Sequence, residues 1–243
     1  MTLNNIFNRP TVVEGVGQVY PIKIKDWEMF ESYLDLLMLS KASLPIEDES
    51  VPLLNRIIAF FSEDPESVEM MTDLFNLVTR TDSFKFEVKL FPFQNYYFIN
   101  DNEQEINADN YEELRKIILH QNIILEPKVF KSKRVAEWAQ KALELKNRNS
   151  ANVTLEDMIT TVSVVKGIHY HELEDYSIYQ LKSDFQRINM IKSFESSSNL
   201  FGNPYAAAEM KLTHFAETLD LYADPYKDVF KDDSNMKIKE ALS

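Results

Sequence analysis

Apolar and polar positions change their period along this chain, and each change marks an element. From Asp26 the apolar residues Met29, Phe30, Tyr33, Leu34, Leu37 and Met38 recur every three or four positions, which predicts a helix with Asp26 as its cap. Helices follow over about 51–61 and 65–80, the latter with acids in its first turn, where the helix dipole favours them. The period then shortens to two. Phe84, Phe86, Val88 and Leu90 alternate with Lys85, Glu87 and Lys89, a half-buried strand. Residues 95–100 are its hairpin partner, 101–103 a turn and 104–107 a further extended piece, so the hairpin region spans 84–107. Residues 18–24 alternate as a short strand, placed at an edge by Pro21, and residues 1–17 read as an irregular arm.

Helical spacing returns after Asp109 or Asn110 and turns Leu114, Ile117, Ile118 and Ile123 inward until Pro127. A basic helix over 132–146 presents Val135, Trp138, Ala139, Ala142 and Leu143 on one side. Residues 147–152 are polar and patternless, which predicts a boundary between an α+β domain over 1–148 and an all-helical domain over 149–243. That second part opens with Thr154, a hydroxyl cap with Asp157 three residues on, and Gly167 closes its first helix. Ser177-Ile-Tyr-Gln180 is a full Ser-x-x-Gln capping box. Behind it Ile178, Leu181, Phe185, Ile188 and Ile191 form one stripe. Residues 195–204 read as a loop, 205–223 as a last helix, and the remainder as a polar tail. Helices around a small antiparallel sheet, then helices alone, make the fold class α+β and mostly helical.

Composition narrows the function. A hydrophobic fraction of 44% and 12% aromatics suit a packed core. Only four glycines are present, and Gly15-Val-Gly17 lacks the rest of a phosphate-binding pattern, so nucleotide loops are not expected. The formal net charge of −13 argues against a nucleic-acid backbone as partner. Charge is uneven: 47–73 carries eight acids and one base, Arg56, whereas 128–148 carries seven bases and two acids, Glu137 and Glu144. These runs read as two solvated faces of opposite sign, or as faces for self-association or for an acidic partner. The absence of cysteine excludes disulfides and thiol catalysis. Apolar runs such as 57–61 are far below the roughly 20 residues of a bilayer span, and no signal peptide is seen. The expectation is a soluble, intracellular protein that uses neither membrane nor nucleic acid.

Candidate chemistry is thin. His169, His171, Glu172 and Glu174 are the one cluster of metal-ligand types, but side chains two apart diverge on a helix, and a polar inter-helix turn accounts for them. His120 and His214 are isolated, and 196–198 has no nucleophile-elbow context. We therefore expect no catalytic residue, cofactor or metal. Aromatics are dense at Phe91, Phe93, Tyr96, Tyr97 and Phe98, which fits core under a sheet. They recur in the helical part, where Tyr179, Phe185, Phe194 and Phe201 are the candidate partner-binding residues.

The order of 109–122 (DNYEELRKIILHQN), a basic helix, 155–168 (LEDMITTVSVVKGI) and 176–188 (YSIYQLKSDFQRI), after the opening 19–27 (VYPIKIKDW), resembles tail-assembly proteins of long-tailed bacteriophages of Gram-positive hosts. The family in view is the tail-assembly chaperone, related in style to small baseplate-hub assembly proteins. The resemblance covers most of 18–194; the segment after Phe194 matches nothing in it. It implies a non-enzymatic protein that coats the tape-measure protein, or another tail protein, in the host cytoplasm during tail morphogenesis, as a monomer or a homo-oligomer. The other readings are a structural tail or baseplate component kept in the virion, and a metal-dependent enzyme built around His169–Glu174.

Overall fold

Residues 3–19, most of them within the stretch 1–17 read as an irregular arm, are ordered into elements. In the computed structural model, which describes residues 3–45, 48, 50–61, 64–89, 95–126, 128, 130, 132–148, 152–201 and 213–226, they form helix α1 (Leu3–Ile6) and a hairpin of β1 (Thr11–Val13) and β2 (Gly17–Val19). The hairpin buries Val13, Val16 and Val19. Their spacing of three hides the strand period and explains the irregular look of the sequence. Gly17 has φ +95, a conformation that favours glycine, while the Gln104 amide that a Cβ there would meet is the movable end of its side chain.

The predicted strand over 18–24 ends at Val19. Pro21 cannot donate to a ladder, and the chain turns into α2 (Trp27–Ser32) and α3 (Leu34–Met38), one predicted helix broken at Tyr33. Asp26 makes no side-chain cap bond. Helix α4 (Leu53–Phe60) follows, then α5 (Pro65–Thr79), whose Asp64 cap accepts from the Glu66 amide. Arg80 ends α5 in the left-handed conformation usually given to glycine, with its guanidinium 4.2 Å from the centre of the Tyr20 ring.

Strands β3 (Lys85–Lys89), β4 (Asn95–Ile99) and β5 (Glu105–Ile106) make the predicted antiparallel sheet, with Phe86 opposite Phe98 and Glu87 opposite Tyr97. Leu90, Phe91 and Phe93 lie outside the described residues. Phe98 meets Phe75 edge-on at 4.8 Å, which seats the sheet on α5. The Glu105 amide donates to the Gly15 carbonyl (2.8 Å), tying this sheet to the first hairpin. Helix α6 (Tyr111–Gln121) buries Leu114 and Ile118 against the same core, while Ile117 is only partly buried. Helix α7 (Lys133–Asn147) is capped by Ser132 and buries Ala139; Trp138 remains 42% exposed.

Beyond residue 152 the capping predictions are realised bond by bond. Thr154 Oγ accepts from the Asp157 amide and Asp157 from the Thr154 amide, opening α8 (Leu155–Lys166). Gly167 closes it at φ +65. After the short α9 (Tyr170–Leu173), Ser177 and Gln180 exchange the equivalent bonds and open α10 (Ile178–Phe201). Two expectations fail here. The region read as a loop from 195 is helix through Phe201, because its serines and Asn199 tolerate a helix that Phe194 and Leu200 extend. Residues 213–223, read as the end of a last helix, are turns and irregular backbone. Asp220 and Asp224 bond the amides two residues ahead, a local pattern that competes with helix. The first part of that predicted helix, 205–212, lies outside the described residues. The fold is α+β and mostly helical, and no helix of the described residues is long and apolar enough to cross a membrane.

The helical part is joined to the rest along Ile22–Lys25. The Ile24 and Lys25 amides donate to Tyr176 and Glu174, and the Ile178 amide donates back to Ile22. Lys23 and Lys25 both reach Asp175, at 2.7 and 3.0 Å. Asn122, fully buried, accepts from the Ile22 amide (3.0 Å) and donates to the Ile118 carbonyl (2.8 Å). Asn122→Ala should cost about 1–3 kcal/mol, since it strands the Ile22 amide, and urea unfolding will show it. The hydrogen bonds and charges of the two lysines hold the Asp175 pKa at about 2, below the ordinary 3.8. A carboxyl lowered on folding stabilises the folded state above its unfolded pKa and loses that effect as pH falls through the folded one. The melting-temperature gap between wild type and Asp175→Asn should therefore be full at neutral pH, shrink below about pH 4 and close near pH 2.

Candidate partner-binding site

The four residues chosen from the sequence are distributed over three environments. Tyr179 is fully buried between α10 and the 213–226 segment, packed with Ile123, Leu219, Leu221 and Tyr222. An outside partner does not reach it, and it is a core residue. Its hydroxyl has no hydrogen-bond partner. Phe185 is half-buried in the α8–α10 core with Val162, Leu173 and Leu181. Phe194 is half-exposed and meets His214 and Phe215 at 5.5 and 5.3 Å. Phe201 ends α10, and its side chain lies outside the described residues. The structure thus brings Phe194 together with Phe215, not with Phe185.

A groove of about 420 Å³ opens beside Phe185, walled by Ile123, Leu125, Met158 and Leu221. Lys182 lies in it, one turn before Phe185 on α10, with Gln186 and Asn189 along the same helix face. Among the described residues no ion pair or hydrogen bond reaches the Lys182 ammonium, and burial pushes its pKa below the ordinary lysine value. Ile123 on the opposite wall has φ +54. A β-branched residue in the left-handed region costs roughly 1–2 kcal/mol. It closes α6 there, its amide on the His120 carbonyl.

Sequence reading missed Lys182, Ile123 and the 213–226 segment. Lys182 follows Ile178 by four, so its place on the flank of the apolar stripe was readable; its lack of a partner was not. The 213–226 segment packs through Leu219, Leu221 and Tyr222 in irregular backbone, which has no period to detect.

Large apolar side chains also remain outside the core. Val164 is 75% exposed and Val165 51%, next to Tyr170; Leu200 and Phe215 are exposed at the far end of α10. The histidine cluster is a turn. His169 caps α9, its amide on Glu172 (3.0 Å), and its ring stacks on His171 at 5.5 Å. Among the described residues no group of three His, Cys, Asp or Glu side chains converges as a metal site.

Residues 146–220 match the family described as YomV second domain. The chain is 26% identical over 210 residues to the SPbeta prophage-derived protein YomV of Bacillus subtilis (strain 168), covering 86% of this chain and 85% of that one. No solved structure matches it. The likeness is to a prophage protein.

Tyr179→Phe removes a buried hydroxyl that bonds to nothing. It should leave thermal stability unchanged or slightly raised, by up to about 1 kcal/mol, and a loss above that would mean that a bridging water or partner atom serves the hydroxyl.

Proposed function

We propose that the protein is a non-enzymatic phage tail-assembly chaperone, which binds the tape-measure protein in the host cytoplasm and is displaced as the tail tube forms. The observation that carries this reading is the set of apolar side chains left outside the core after residue 152, Val164, Val165 and Leu200 on helices and Phe215 in the irregular segment among them. Such residues, and the groove beside Phe185, suit helix-in-groove binding of an elongated helical partner, with modest affinity per contact and avidity from repetition. The likeness to an SPbeta prophage-derived protein over 86% of the chain supports a phage setting.

In this reading the chain works as two units, 1–148 and 149–243. The largest apolar cluster draws its buried members from Val13 to Leu119 and a second, smaller one from Val162 to Leu181, which supports that division. The partner-binding role falls to the second unit. Neither nucleic acid nor membrane is a partner, and no cofactor is used.

Co-expression with the tape-measure protein of the same phage, followed by pull-down and mass spectrometry of mature particles, tests the reading. The expected result is soluble co-purification and absence from particles. Presence in particles at fixed copy number would replace the chaperone by a structural tail or baseplate component.

A further inference from the structure

We propose that the groove beside Phe185 receives one helical turn of the partner protein, with a bulky apolar residue inserted between Ile123, Met158 and Phe185 and a carboxylate of that turn paired with Lys182. This deepens the tail-assembly reading and rests on it.

The walls are apolar and the one charge among the lining residues is a cation, so the complementary occupant is apolar with a single negative charge. Lys182 is half-buried, and among the described residues no carboxylate lies on it, although acids outnumber bases 39 to 26 in the sequence. A desolvated ammonium without a counter-ion is unfavourable, and a partner carboxylate offsets that while completing the hydrogen bonds of the ammonium. Its lowered pKa agrees with that desolvation.

The form of the groove favours a protein segment over an enclosed small molecule. Leu125 on its wall is 39% exposed, and Gln186 and Asn189 on its α10 side face solvent. A buried ligand would have most of its surface covered, whereas an open trough suits a helix laid across it. From Lys182 to Asn189 the α10 side of the trough runs about 10 Å, the length of two helical turns. Its walls come from α8, α10, the end of α6 and the 213–226 segment, so an occupant touches every piece that meets there. The left-handed Ile123 is consistent with such a place, since backbone strain collects at clamps for other molecules. Within the groove Lys182 is the one point of attraction for a carboxylate, which sets the register of the occupant.

The test uses the full chain co-expressed with the tape-measure protein and compares wild type, Lys182→Met, Lys182→Arg and Asn189→Trp. Titration of the purified proteins should show Lys182→Met weakening binding about tenfold or more. Its melting temperature should equal or exceed that of wild type, because a desolvated charge has gone. Lys182→Arg should retain most of the affinity, and Asn189→Trp, which fills the trough from its rim, should weaken it. The wild-type loss on raising salt should be smaller in Lys182→Met. If wild type binds and Lys182→Met and Asn189→Trp bind equally well, the groove assignment is overturned while the tail-assembly reading survives. If wild type itself does not bind, both fall. If Lys182→Met instead changes the oligomeric state by light scattering, with tape-measure binding unaltered, the occupant is a second copy of this chain and the proposal is wrong.

Discussion

A four-residue segment, extended at Lys23 and turning into a short 3-10 helix at Ile24, holds the two halves of this molecule together. Ile22–Lys25 leave the first hairpin, and the polypeptide after residue 173 lies against them with ladder-like bonds in both directions. Pro21 makes this possible: a residue without an amide ends the first ladder and leaves the next four free to pair elsewhere. Other contacts repeat the arrangement: the Lys23 and Lys25 side chains lie on Asp175 outside, the Ile22 amide donates to the Asn122 side chain inside, and Ile24 packs in the α8–α10 core. Without this seam α10 has no fixed position relative to α6, and the groove between them has no defined shape.

The surface created by that docking is not generic. Beside Phe185 the N-terminal part contributes Ile123 and Leu125, the helical pair contributes Met158 and Lys182, and the late segment contributes Leu221. None of these pieces alone forms a concave site. An interaction made there reads the assembled state of the chain, which suits a protein that holds a partner only while correctly folded. Repetition along a long partner then provides strength without any single tight contact.

Local signals were readable in the sequence because local physics decides them. Thr154 with Asp157, Ser177 with Gln180, and Gly167 each satisfy helix-end groups within a few residues, and they act as predicted. The 85–99 hairpin was equally plain from its period of two, although Phe86 is only half-buried and Val88 is exposed. What could not be read depends on distant partners. The valines of the first hairpin are ordered by Gln104, Asn110 and β5, roughly ninety residues on. Tyr179 looked like an exposed aromatic because the segment that covers it has no pattern of its own. The groove was half legible: Phe185 was selected for its aromatic character, while Lys182 gains its meaning from what is missing around it.

One more contact bears on how the molecule comes into being. Tyr222 receives a hydrogen bond from Asn5 (3.3 Å), 217 positions earlier, and gives one to the His120 carbonyl (2.8 Å). On the ribosome the first helix is therefore made long before the residue that pins it, and α10 emerges before the segment that covers Tyr179. For that interval the nascent chain displays an uncovered aromatic helix face, and the helix is completed only when the later segment packs onto it.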